Sequence, residues 1–145
     1  MRCWTLLFVL AGTALAASAP VEAKVRTQTI EYKVGDKTFI GHLAWDDSRT
    51  GPRPGVLVIP DWMGLGDFPR QKAEELAALG FVALAADVYG GGKVARDAAE
   101  AGALAGALKA DRKELRARVN AAFEALRSRK MVDSKRTAAI GFCFG

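Results

Sequence analysis

Histidine and cysteine are nearly absent from this sequence, and their scarcity limits its chemistry. Among 145 residues there is one histidine, His42, and two cysteines, Cys3 and Cys143. One imidazole excludes histidine-rich metal sites and most histidine-based catalysis by this chain alone. Two thiols are too few for a disulfide scaffold or a four-cysteine zinc site, and no C-x-x-C pair is present. Internal repeats, low-complexity linkers and uninterrupted apolar runs of membrane-spanning length are also missing. With 50% hydrophobic and 26% charged residues, the composition excludes wholesale disorder and fibrous structure. The length accommodates one domain.

The first residues read as a targeting segment. Met1 to Trp4 carry one positive charge, Thr5 to Leu15 are largely apolar, and Ala16-Ala17-Ser18-Ala19 are small. This is the order of a secretory signal peptide, with a cut expected after Ala16 and a second, weaker site near Ala23. The apolar segment is shorter than the ~20 residues of a spanning helix, so no stable membrane anchor is expected after cleavage. The expectation is export, to a bacterial periplasm. Cys3 then leaves with the signal. Cys143 remains as a lone thiol, which pairs between chains, stays inert in a core, or works chemically.

The net charge of +5 is uneven. Residues 24–108 hold ten basic and eleven acidic residues, whereas residues 109–136 hold ten basic and four acidic. Without interleaved exposed aromatics, this basic stretch reads as a solvated helix face and not as a nucleic-acid patch.

Strand and helix signals alternate along residues 24–145. Val25 to Val34 and Thr38 to Trp45 read as strands joined by a turn at Gly35-Asp36-Lys37, a hairpin. Gly55 to Pro60 is a short apolar run suited to a strand buried on both faces. Asp67 reads as an N-cap, Pro69 fits a first turn, and Gly80 fits a helix C′ position. Phe81 to Val88 reads as a second buried strand. Val94 to Lys109 reads as a helix whose Gly102 and Gly106 pack closely on the sheet. Asp111 and Glu114 have capping-box spacing. Leu115, Val119, Ala122, Phe123 and Leu126 then share one helical face. Thr137 to Phe142 reads as a third buried strand. A hairpin followed by βαβαβ implies an α/β fold with a mainly parallel sheet. His42 reads as a half-exposed strand residue.

The most specific motif is Gly141-Phe142-Cys143-Phe144-Gly145. It has the G-x-nucleophile-x-G form, with cysteine in place of serine, directly after a strand. A nucleophile on a tight strand-to-helix turn projects into a site, and glycines two residues either side let the backbone close on itself. The next amide, Phe144 N–H, is then placed to receive a developing oxyanion. The plain alternative is a small buried cysteine ending a strand. Gly90 to Val94 is not a phosphate loop, because the earlier glycine is missing and no Ser or Thr follows Lys93.

Three segments, Val56 to Leu65, Gly80 to Gly90 and Ala139 to Gly145, together resemble the dienelactone hydrolase family. The resemblance implies the N-terminal half of an α/β-hydrolase three-layer sandwich, ending at the nucleophile elbow. It implies hydrolysis of small-molecule esters or lactones without a cofactor, with Cys143 as nucleophile. Asp61 falls where that family usually carries a glutamate, whose carboxylate contacts the resting thiol. A thiol with a pKa near 8.5 is mostly neutral at pH 7, so a carboxylate that helps form thiolate suits the chemistry. Aspartate is one methylene shorter, and a plain turn carboxylate is the other reading of Asp61. The Trp62 N–H would be the second oxyanion donor beside that of Phe144. The Trp62 side chain either walls an apolar pocket or joins the core. Where the dienelactone enzyme has an arginine for a substrate carboxylate, this chain has Gly90-Gly91-Gly92-Lys93. The family's acid and histidine follow the nucleophile in chain order. The resemblance therefore implies that these 145 residues are the N-terminal portion of a longer domain, inactive by themselves. A non-catalytic binding protein on the same fold is the competing reading.

Overall fold

A computed structural model describes residues 24–145. The expected signal peptide and its cleavage sites lie outside these residues. The element order is β1 (Val25–Val34), β2 (Lys37–Asp46), β3 (Arg53–Ile59), α1 (Asp67–Ala78), β4 (Val82–Ala85), α2 (Ala98–Ala110), α3 (Arg112–Arg127) and β5 (Val132–Gly141). The strands form one sheet in the order β1-β2-β4-β3-β5. β1 pairs antiparallel with β2, and β2 with β4. β3 pairs parallel with both β4 and β5. The hairpin therefore caps one side of a parallel three-stranded unit.

The two faces of the sheet differ in residue size. Successive side chains of a strand point to opposite faces. Leu57, Val82 and Leu84 pack with Ala122 and Leu126 of α3. Val58, Ala83 and Ala85 pack with Ala73 and Ala77 of α1. Large residues thus meet α3, while alanines let α1 approach closely. The result is three layers, with α1 on one face and α3 on the other.

The chain leaves the C-terminal ends of β3 and β4 towards opposite faces. That reversal falls at the carboxyl ends of the strands, the usual ligand position in open α/β sheets. The β3–β5 register runs from Gly55↔Thr137 to Ile59↔Gly141, with an irregularity at Pro54/Gly55 that takes up Ser134 to Arg136. Asp61 and Cys143 each stand two residues beyond the last pair, at the same end of the sheet.

Several local expectations need correction. The cap of α1 is Gly66, without a side-chain bond, and Asp67 is the first helical residue, where its charge suits the helix dipole. Gly80 does end α1: its N–H reaches the Ala77 carbonyl, and the Phe81 N–H reaches that of Leu76. β4 stops at Ala85, short of Val88, because the Asp87 carboxylate gathers the backbone that follows it. α2 starts at Ala98, capped by the Asp97 side chain on the Glu100 amide. It lies on α3 and not on the sheet, with Gly102 and Gly106 exposed. Asp111 caps α3 through the Glu114 amide, yet Glu114 does not return the bond. Its carboxylate instead takes Arg118 and Lys37. β5 is an edge strand among the described residues, and its residues are mostly exposed, not buried.

His42 is the other correction. It is only 8% exposed, on the α1 face of β2. Arg70 donates to its Nδ1 at 3.3 Å, and Glu74 Oε1 lies 2.9 Å from its Nε2. A guanidinium has only donors, so Nδ1 must be the acceptor and Nε2–H the donor. The basic stretch is likewise not uniformly solvated. Arg118 is largely buried, donates to the Val88 carbonyl at 2.8 Å and lies over the Phe39 ring.

Candidate active site

Three loops gather at this end of the sheet. The first follows β3. Pro60 ends the strand run, and Asp61 forms a tight turn in which its Oδ1 accepts from the Met63 N–H at 2.7 Å. The turn is reinforced by the Gly64 N–H on the Asp61 carbonyl at 3.2 Å. Asp61 is half-buried, and Trp62 is 39% exposed. Of the two readings of Asp61, the turn carboxylate describes Oδ1. Trp62 is not a core residue. Its ring approaches α2, where a Cβ on Gly102 would stand 3.9 Å from Cζ3.

The second loop follows β4, and its organiser is Asp87, a residue the sequence reading did not single out. Asp87 is fully buried. Its Oδ1 accepts from the N–H groups of Tyr89 (2.9 Å) and Gly90 (2.8 Å). Its Oδ2 accepts from those of Ile40 (3.1 Å) and Gly92 (2.7 Å). Tyr32 donates its hydroxyl to the Asp87 carbonyl. Four amides and no cation satisfy this buried carboxylate, so its work is to shape the loop. The signal was present in the sequence: Gly90, Gly91 and Gly92 all adopt positive φ, and such a turn presents amides that need an acceptor. Lys93, which follows these glycines where the dienelactone enzyme has its arginine, pairs with Glu100 at 2.8 Å.

The third loop is the elbow after β5. Cys143 is exposed, and its φ of 55° is the only positive value at a non-glycine residue among the described residues. Left-handed backbone at such a residue costs roughly 1–2 kcal/mol, and surrounding contacts must hold it. The Gly145 N–H closes the turn on the Phe142 carbonyl at 2.9 Å, and the Phe142 N–H reaches the Ile59 carbonyl at 3.3 Å. The flanking glycines are required by contact. A Cβ on Gly141 would collide with the backbone of Gly145. One on Gly145 would stand 2.7 Å from the Ile59 oxygen. The aromatic neighbours of Cys143 are anchored on opposite sides. Phe142 meets Phe68 edge-on at 4.9 Å, and Phe144 stacks with Tyr89 at 6.4 Å. Phe144 also lines a cavity of about 260 Å³ with Ile59, Leu115 and Val119.

Tyr89 joins the loops. Its hydroxyl donates to the Trp62 carbonyl at 2.7 Å. Burial, and then the nearby Asp61 charge, push its pKa up to about 12, so it stays a donor through the neutral range. No group of metal-ligating side chains occurs among the described residues. The arrangement offers an outward sulfur, a half-buried carboxylate and ordered backbone amides at one sheet end, which suits nucleophilic attack on an acyl group.

Comparison with known proteins bears on the family and the fold. The sequence pattern of the dienelactone hydrolase family matches residues 39–145. A solved structure named m3DLH is 41% identical with a TM-score of 0.81, covering 83% of this chain and 50% of its own. A dienelactone hydrolase-like promiscuous phosphotriesterase from metagenomic libraries is 42% identical, with the same TM-score and coverage. A dienelactone hydrolase from Anabaena variabilis, 18% identical with a TM-score of 0.56 over 81% of this chain and 51% of its own, shares the fold. The chain spans about half the length of these structures. A search of curated proteins finds no match. The exposed thiol on a strained turn, set beside the ordered loops after β3 and β4, thus occurs in a chain that belongs to the dienelactone hydrolase family.

Proposed function

We propose that this chain carries the nucleophile half of an exported hydrolase of carboxylic esters or lactones. The positive φ of Cys143, which turns an exposed thiol out from the end of β5, is the observation that carries the reading. The Cys143 thiolate attacks the carbonyl carbon, and the oxygen takes up the negative charge. The N–H groups of Trp62 and Phe144 receive that charge, a contribution worth roughly 3–4 kcal/mol per donor in comparable sites. The leaving alkoxide departs with a proton, and Cys143 is left as a thioester. Water then releases the acid and restores the thiol. Asp61 assists thiolate formation through Oδ2, since Oδ1 is engaged by Met63. His42 is held between Arg70 and Glu74 under α1 and takes no part. The base that activates water therefore comes from sequence beyond these residues.

The identity to a promiscuous phosphotriesterase adds a second substrate class. A phosphotriester would present its phosphoryl oxygen to the same two amides.

p-Nitrophenyl acetate tests the first reading and paraoxon the second. The protein as encoded should turn over the ester, and Cys143→Ser should abolish turnover. The isolated 24–145 chain should give no repeated turnover. Ester hydrolysis by the encoded protein that survives Cys143→Ser would remove the proposal. So would a coding sequence without a downstream aspartate and histidine, which would favour a binding protein.

A further inference from the structure

We propose that Tyr89 is a positioning residue for the oxyanion hole, holding the Trp62 carbonyl so that the preceding Trp62 N–H keeps its aim. The inference rests on the hydrolase reading above. The Trp62–Met63 peptide is gripped at both polar atoms. Its carbonyl accepts from the Tyr89 hydroxyl at 2.7 Å, and its N–H donates to Asp61 Oδ1 at 2.7 Å. A peptide plane fixed at both edges cannot swing, so the torsions of Trp62 that orient its own N–H lose their freedom. The neighbouring turn is tied down as well. The Ala95 N–H donates to the Met63 carbonyl at 2.9 Å, and Gly64 bridges Val94.

Tyr89 is a fixed point from which to hold this peptide. Its N–H sits on the buried Asp87 carboxylate at 2.9 Å, and its ring stacks with Phe144. One side chain therefore touches both loops that would supply oxyanion donors, Trp62 by its hydroxyl and Phe144 by its ring. The β3–β4 pairing at Gly55 to Val58 does not involve Tyr89, so the strands hold without its hydroxyl. Tyr89→Phe keeps the ring and removes only the hydrogen bond.

The test uses the protein as encoded, with p-nitrophenyl acetate in single-turnover acylation and iodoacetamide as a thiol probe. Alkylation forms no oxyanion, so it reads the sulfur alone. Tyr89→Phe should lower the acylation rate roughly 10-fold, a fraction of the loss seen when a donor is deleted outright. KM should stay within about twofold, and alkylation of Cys143 should be unchanged. Equal acylation rates in Tyr89→Phe and the parent would overturn the proposal. Equal losses of acylation and alkylation would also overturn it, because they would show a generally disordered elbow. Should Tyr89→Phe fail to fold, 3-fluorotyrosine at position 89 provides the second test. Its more acidic phenol should make acylation fall at alkaline pH where the parent holds steady, and a matching profile would overturn the proposal. Acylation of the parent that persists in Cys143→Ala marks failure of the hydrolase reading itself, and this inference falls with it.

Discussion

Gly145 packs directly against the main chain of Pro60: a Cβ at position 145 would stand 2.8 Å from the Pro60 carbonyl oxygen. The elbow after β5 and the turn after β3 are therefore in contact through backbone. Gly145→Ala should cost roughly 1–3 kcal/mol, as overpacking against atoms that cannot move aside does. Gly141→Ala should cost at least as much, since its Cβ meets the backbone of Gly145. Urea unfolding measures both, and a change under 0.5 kcal/mol in either, about the scatter of a neutral surface substitution, would show that the turn is looser than these contacts require.

Position 143 should reverse the usual order of alanine and glycine. Its φ of 55° is unfavourable for any residue with a Cβ. Cys143→Gly should therefore be more stable than Cys143→Ala by about 1 kcal/mol, although both lose the thiol. Denaturant midpoints of the two variants check this directly.

The alkaline titration should be silent where free tyrosine ionises. The chain has two tyrosines, Tyr32 and Tyr89. Burial pushes Tyr89 up to about 12, helped by the Asp61 charge, and burial raises Tyr32 beyond the ordinary range. Both folded values exceed the unfolded value of about 10. Their contribution to stability is thus complete below about pH 10 and is lost as pH rises through the folded values. Phenolate absorbance should appear only near pH 12 or with unfolding. A phenolate step near pH 10 in folded protein would contradict these environments.

Asp87→Asn should be severe although the side chain keeps its size. The carboxylate accepts four amide hydrogens, whereas a carboxamide offers one oxygen and turns an NH₂ towards donors. A loss of about 2–3 kcal/mol is expected. Faster hydrogen exchange at Gly90 and Gly92 should accompany it. Protection unchanged at both amides would show that other contacts shape the loop.

What could be read from the sequence was local. The unbroken apolar run of β3, the Asp111 cap and the glycine-flanked Cys143 declare themselves within a few residues, because each depends on its immediate neighbours. The failures involve distant partners. His42 lies in a strand that pairs on both sides, and only the packing of α1 shows why it is buried. The exposure of β5 depends on its place at the edge of the sheet that the described residues form, which no strand periodicity encodes. The role of Asp87 depends on four amides, one of them from Ile40 in another strand. The role of Tyr89 depends on the reach of its hydroxyl to the opposite loop. The Gly90-Gly91-Gly92 run was the available clue, since a glycine-rich turn frees amides, here those of Gly90 and Gly92, that call for an anion.

The irregularity in the β3–β5 pairing separates two regions of unequal tolerance. Ser134 to Arg136 form slack in the chain, ahead of a ladder that runs in step to Gly141. A residue added or removed in that slack leaves the sulfur where it is. The same change between Thr137 and Gly141 would turn the remaining side chains over and point the thiol into the opposite layer.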